Sequence, residues 1–149
     1  MVDPVSVPAH LWVIYCDGSA MPNPGRMGAV LTEPNGTRHT LSQATPTKGC
    51  NNEAELRALM AALQELQRRG ARALLVYCDN SILVEQLGSA DAKPIARLAC
   101  LFQEARVLLE SFDHARLHWI PRHRNGQADA LARAALGIVS RRAVKPSTN

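Results

Sequence analysis

The stretch Leu11-Trp-Val-Ile-Tyr-Cys16, closed by Asp17-Gly18-Ser19, decides how the rest of the chain is read. A continuous apolar run that is partly β-branched suits a strand buried on both faces at the centre of a sheet. The pattern returns at Ala73-Leu-Leu-Val-Tyr-Cys78, again ended by an aspartate, Asp79. Between the two, from Asn52 to Gly70, the period is helical: Leu56, Leu59, Met60, Leu63 and Leu66 share one face, with Arg57, Gln64, Gln67 and Arg68 largely opposite. Gly70 supplies the stop. A strand, a long helix and a second buried strand imply a right-handed crossover and parallel pairing.

Working outward, Met21-Pro-Asn-Pro-Gly25 is dense in turn formers. Met27 to Glu33 and Thr37 to Gln43 read as strands joined at Pro34-Asn35-Gly36, so the first three strands form an antiparallel meander. Ser81 to Leu87 is a short helical stretch. Pro94 opens a long helix to about Glu110, with Ile95, Leu98, Leu101, Phe102, Ala105 and Leu108 inward. Ala115 to Ile120 is a fifth strand, Pro121 to Gly126 a short basic loop, and Gln127 to about Ser140 an Ala-rich final helix. The expectation is an α/β protein: a five-stranded mixed sheet, an antiparallel meander plus two parallel strands, flanked by helices. Residues 1–149 are expected to form one domain with its core at about 11–138 and loose ends at 1–9 and 143–149.

The chain has 149 residues, 46% hydrophobic and 20% charged, which excludes disordered and fibrous classes. At this length a fold buries roughly 70% of its unfolded surface and needs no disulfide or structural metal. The cysteines, Cys16, Cys50, Cys78 and Cys100, form no C-x-x-C pair and have no histidine at zinc-ligand spacing, as expected of free thiols in a reducing cytoplasm. The apolar run at 11–16 is too short for a signal-peptide core or a membrane span, so no membrane partner is expected.

Taken singly, the acids have ordinary explanations. Asp17-Gly18 is common turn punctuation, Asn52-x-x-Glu55 has capping-box spacing, Asp79 stands where a helix cap would, and Asp129 complements the dipole of the last helix. Taken together they point to chemistry. Parallel pairing puts Asp17 and Asp79 side by side at the sheet edge where ligand sites of open α/β sheets form. Helices beginning at Asn52 and near Gln127 bring Glu55 and Asp129 to that edge from their first turns. Clustered carboxylates repel by several kcal/mol at an effective dielectric of about 20, so cations must neutralise them. All-oxygen ligands favour Mg²⁺ or Mn²⁺ over Zn²⁺, and two such ions are the usual apparatus for displacement at phosphorus.

Four motifs, Y-C-D-G-S-A-M-P-N-P-G (15–25), C-N-N-E-A-E-L-R-A-L-M-A-A-L (50–63), V-Y-C-D-N-S (76–81) and W-I-P-R-H-R-N-G-Q-A-D-A-L-A-R-A-A (119–135), resemble in order and spacing those of type 1 ribonuclease H, ribonuclease HI. The resemblance implies a ribonuclease H-like fold. It also implies an endonuclease that hydrolyses the RNA strand of RNA/DNA hybrids with two Mg²⁺ ions, leaving 5′-phosphate and 3′-hydroxyl ends. Asp17, Glu55, Asp79 and Asp129 match the family's metal-binding acids, and Glu55 its contact to the 2′-hydroxyl by which RNA is told from DNA. Asn23, Asn51 and Asn52 match positions that contact the minor groove. His123 matches the loop histidine that assists proton transfer and product release, a duty suited to imidazole.

Departures from the pattern bear on substrate grip. Cys50 replaces a threonine that helps hold a DNA phosphate, and Ser81 stands where several relatives carry glutamine, leaving Lys48 as the candidate phosphate contact. Gly88 to Pro94 is short where many bacterial relatives carry a basic, Trp-containing protrusion. The chain's +4 charge is concentrated at its C-terminal end: Arg116, Arg122, Arg124, Arg133, Arg141, Arg142 and Lys145 against Asp129 give residues 114–149 a net +6, and the remainder sums to −2. This end is expected to grip the polyanion. The other readings are a broader nuclease that also cuts double-stranded RNA and a non-cleaving hybrid-binding module. Six aromatic residues in all make a stacking platform for single strands unsuitable. A monomer is expected.

Overall fold

A computed structural model of the chain describes residues 10–20, 25–46, 49–88 and 96–134. The elements in order are β1 (Leu11–Ser19), β2 (Arg26–Thr32), β3 (Arg38–Ala44), α1 (Asn51–Arg68), β4 (Ala73–Cys78), α2 (Ser81–Gly88), a 3₁₀ turn (Ala96–Leu98) running into α3 (Ala99–Glu110), β5 (His114–Trp119), a second 3₁₀ turn (Arg122–Arg124) and α4 (Gly126–Ala134). The expected start of α3 at Pro94 and the extension of the last helix to Ser140 fall outside the described residues. The strands form one sheet in the order β3-β2-β1-β4-β5. β1 pairs antiparallel with β2 and β2 with β3, whereas β1–β4 and β4–β5 are parallel.

The central strand is not uniformly buried. Trp12, Ile14, Cys16 and Gly18 are buried, while the alternate residues Leu11, Val13, Tyr15, Asp17 and Ser19 are only half-buried. A two-sided apolar sequence is therefore used asymmetrically, because different helices cover the two faces. On one face, α1 lays Ala58, Leu59, Ala62, Leu63 and Leu66 over Trp12, Ile14, Cys16, Ala29, Leu74 and Val76. Its opposite flank, Leu56 and Met60, packs with Leu83 of α2 and with Leu98, Phe102 and Ala105 of the α3 region. The second face carries α4 over β1, β2 and β3.

Two glycines set these contacts. A methyl on Gly18 would meet the Ala54 carbonyl and come within 2.9 Å of the Glu55 nitrogen, so Gly18 lets α1 rest directly on the end of β1. A methyl on Gly28 would collide with the α4 backbone at Ala128 and Ala132. Each close approach brings the first turn of a helix, with its acid, to the sheet edge. α1 stops as expected: Gly70 takes φ +77° and the Ala71 N–H donates to Leu66 O at 3.0 Å, a Schellman closure.

Candidate active site

The parallel pairing of β1 with β4 ends at Cys16↔Cys78, so the next residues, Asp17, still within β1, and Asp79, just past β4, lie side by side. Glu55, on the first full turn of α1, is buried beside them. One carboxylate oxygen each from Asp17, Glu55 and Asp79 lies within 4.8 Å of the others. Asp129, in the first turn of α4, lines the same pocket with Asp17, Glu55 and Asn51 and is hydrogen-bonded to Asp17.

The capping duties open to Asp79 and Glu55 are taken by neighbours. α2 is capped by Asn80, not Asp79: the Ile82 and Leu83 N–H groups donate to Asn80 Oδ1 at 2.9 and 3.2 Å. α1 is capped by Cys50, whose Sγ accepts from the Glu53 N–H at 3.4 Å, so the capping box Asn52–Glu55 does not form. The helix begins a residue earlier than its periodicity suggested, at Asn51. Glu55 Oε2 instead accepts from Asn80 Nδ2 at 3.1 Å, and the same amide donates to Asn52 Oδ1 at 2.8 Å.

The electrostatics show the strain of so many carboxylates. Burial, then the charges of Asp79 and Glu55, push the Asp17 carboxyl up to about 9. Burial and Asp79 push Glu55 up to about 7 against opposing contributions from Asn80, Asp17 and Arg122. Asp79 Oδ1 is buried with no hydrogen-bond partner among the described residues. An oxygen-only donor set, protons retained by its acids and an orphaned carboxylate oxygen together fit a hard divalent cation. Asp17, Glu55 and Asp79 are the residues able to hold it, with Asp129 adjoining.

Not every expected residue joins the pocket. Asn51 lines it and accepts from the Ala20 N–H at 2.9 Å; Asn52 is tied to Asn80. His123 is exposed on the second 3₁₀ turn and lines a neighbouring cavity with Tyr15, Arg38, Arg124 and Gln127 rather than the acid pocket. Asn23 and Lys48 lie outside the described residues, as do Arg141, Arg142 and Lys145. Two arginines enter the acid pocket instead, Arg26 and Arg122. Arg26 was hidden from sequence reasoning because only the pairing Ser19↔Arg26 brings it there. Arg122 was visible as part of the basic C-terminal end, but its place beside Glu55 was not. Arg97 went unnoticed in the sequence: its Nη2 meets Cys50 Sγ at 3.3 Å, putting a cation beside the residue that caps α1.

A mixed sheet of this order with carboxylates gathered at the ends of two parallel strands defines the ribonuclease H-like class of folds. The reverse transcriptase-like family model matches residues 15–135. A bifunctional protein of Mycobacterium tuberculosis is 32% identical over 134 residues, covering 88% of this chain and 37% of that protein. The ribonuclease HI of Halobacterium salinarum is 34% identical over 124 residues, covering 82% of this chain and 62% of that protein. The chain thus spans between about a third and two thirds of the length of these relatives. The crystal structure of the Halobacterium enzyme superposes with a TM-score of 0.78 at 31% identity, covering 85% of this chain and 98% of that one. The structure of LC11-RNase H1 in complex with an RNA/DNA hybrid gives 0.73 at 29% identity, covering 85% and 96%. The chain belongs to the reverse transcriptase-like family and, within it, to the type 1 ribonucleases H.

Proposed function

We propose that this protein is a divalent-cation-dependent endonuclease that hydrolyses the RNA strand of RNA/DNA hybrids, leaving 5′-phosphate and 3′-hydroxyl ends, with Mg²⁺ as its ion and Mn²⁺ as a substitute. The observation that carries this reading is the convergence of Asp17, Glu55 and Asp79 oxygens within 4.8 Å at the strand ends. The hybrid-bound relative supports the substrate class. A non-cleaving binding module is disfavoured, because clustered acids facing phosphates weaken binding unless cations are present.

Bound in this cluster, two ions would neutralise the carboxylates, activate the attacking water and stabilise the leaving oxygen. The chain's own groups do the rest. Asp17, Glu55 and Asp79 fix the reacting centre on rigid strand ends and a helix turn, and Asp129 completes the set from α4. Glu55, whose Oε2 accepts from Asn80, contacts the 2′-hydroxyl. Asn51 and Asn52, with Asn23, contact the minor groove; Lys48 contacts a DNA phosphate, and Arg97, beside Cys50, adds a second cation for it. His123 takes up and delivers a proton from outside the acid pocket as product leaves. The free thiols of Cys16, Cys50, Cys78 and Cys100 support a cytoplasmic site of action; no helix among the described residues is long and apolar enough to cross a membrane. The protein acts as a monomer.

Incubation of labelled RNA/DNA hybrid, RNA duplex and DNA duplex with the protein and Mg²⁺ tests the reading. Cleavage confined to the RNA of the hybrid and abolished in Asp17→Asn is expected. No cleavage by the parent protein refutes it, and equal cleavage of RNA duplex replaces it by the broader nuclease.

A further inference from the structure

Asn125 lies between the second 3₁₀ turn and α4, and it is 1% exposed. An asparagine in front of a helix ordinarily turns its Oδ1 onto the helix's own amides. Asn125 does not; its Oδ1 has no hydrogen-bond partner among the described residues. Instead its Nδ2 donates to Cys16 O at 2.8 Å and to Asp79 Oδ2 at 2.8 Å. Its backbone carbonyl accepts from the Asp129 N–H at 3.2 Å, and its own N–H closes the turn on Arg122 O at 3.0 Å. One residue therefore holds the peptide group that leads into Asp17, the side chain of Asp79 and the backbone of Asp129.

Leaving a buried amide oxygen unpaired costs about 1–3 kcal/mol. The amide stands at this site despite that cost, with one proton on the Cys16 carbonyl that leads into Asp17 and the other on Asp79 itself. A neutral donor also suits the task in a way a cation does not. It fixes one oxygen of Asp79 without cancelling the carboxylate's charge, so Oδ1 stays open for a cation; a lysine or arginine there would compensate the charge and compete with the ion.

We propose that Asn125 is the positioning residue that registers Asp17, Asp79 and Asp129 against one another and so sets the cluster's affinity for divalent cations. The inference rests on the proposed cation site but not on the identity of the nucleic-acid substrate.

Isothermal titration of Mn²⁺ into the protein without nucleic acid is the primary test. Outer partners of metal-holding groups typically contribute about 10–100-fold to affinity, and Asn125→Ala is expected to lose affinity in that range. The isosteric Asn125→Asp keeps the shape but loses the donor, and it is expected to bind no better than Asn125→Ala. With hybrid, kcat should fall by a similar factor, about 10–100-fold, with KM nearly unchanged and part of the loss recovered at high Mn²⁺. A merely structural role would lower thermal stability while leaving the Mn²⁺ midpoint in place, and that result overturns the proposal. A measurement on the parent protein needs no variant to fold: the Asn125 side-chain amide resonances in a ¹H–¹⁵N spectrum should shift on adding Mg²⁺. If they do not respond, the proposal is wrong. If the parent protein cuts no hybrid, the proposed function falls while these two binding readouts still decide the role of Asn125.

Discussion

The sulfurs of Cys16 and Cys78 lie 3.2 Å apart on neighbouring parallel strands, each one residue before an acid of the cluster. Two small, polarisable side chains meet at the last pair of the β1–β4 register, the same register that sets Asp17 beside Asp79. The contact with the Cys78 thiol, and then burial, hold Cys16 well above the usual thiol range, which suppresses the reactive thiolate. Iodoacetamide at pH 8 should therefore modify Cys100, which is exposed, and leave Cys16 and Cys78 untouched in the folded protein. Peptide mass spectrometry reads the order of modification.

The acid cluster makes the cation-free protein sensitive to pH. The carboxyls of Asp17 and Glu55 are raised to about 9 and about 7 from ordinary values of 3.8 and 4.5, so between those limits the folded state holds more protons than the unfolded one. The stability these two carboxyls contribute is fully present below about pH 4 and is lost as pH rises through 7 and towards 9. Melting in chelator should show Tm falling from pH 5 to pH 9, at about 2–4 °C per kcal/mol for a chain of this size. Mg²⁺ should restore more stability at pH 8.5 than at pH 5. Asp17→Asn should flatten the slope and raise the cation-free Tm.

Removing ligand charge should abolish turnover. Asp17→Asn, Glu55→Gln and Asp79→Asn are each expected to lower kcat on hybrid by at least about 10³-fold, as for the loss of several kcal/mol of charge stabilisation. Asp129→Asn, next to the three-acid set rather than within it, should cost less, about 10²-fold. His123→Ala, outside the acid pocket, should cost no more than about 10²-fold. Single-turnover rates at saturating protein separate these effects from binding.

Asn80 serves two elements at once, capping α2 with its oxygen and holding Glu55 and Asn52 with its nitrogen. Asn80→Ala should lose about 1 kcal/mol from the cap alone. Asn80→Asp keeps a good cap but sets another carboxylate against Glu55. Its activity should fall at least as far as that of Asn80→Ala, and chelator should destabilise it further at pH 8 than at pH 5. Urea unfolding with and without Mg²⁺ distinguishes the two.

Gly28→Ala should displace α4, because the added methyl would sit 3.0 Å from Ala132 Cα and against the backbone of Ala128. A cost of about 1–3 kcal/mol is expected from such overpacking, with a loss of activity through the shift of Asp129. Gly36→Ala, with open space around it, should lose activity little while paying for its positive φ in stability. Denaturation midpoints and turnover of the two variants check this contrast.

The order of elements was legible because it rests on short-range signals: apolar runs at 11–16 and 73–78, a helical period at 52–70 and turn residues at Pro34-Asn35-Gly36. Parallel pairing followed from the crossover, and with it the meeting of Asp17 and Asp79. Local capping was read less well. Asn52 and Asp79 had the right residue types in the right places, yet Cys50 and Asn80 do the capping, since a residue adjacent to a helix start competes with its neighbours and geometry decides between them. The asymmetry of β1 was also hidden, because an apolar run does not say how much of each face its helices will cover.

By itself, then, the sequence determined the sheet, its helices and the four acids, all of which depend on periodicity and order along the chain. Only the tertiary structure decided that Asn125 reaches Cys16 and Asp79, that Arg26 and Arg122 share the acid pocket and that His123 lies beside it. Those relations join residues as many as 109 positions apart, and strand register, helix seating at Gly18 and Gly28 and the depth of burial set them. None of these quantities is a property of any short stretch of chain.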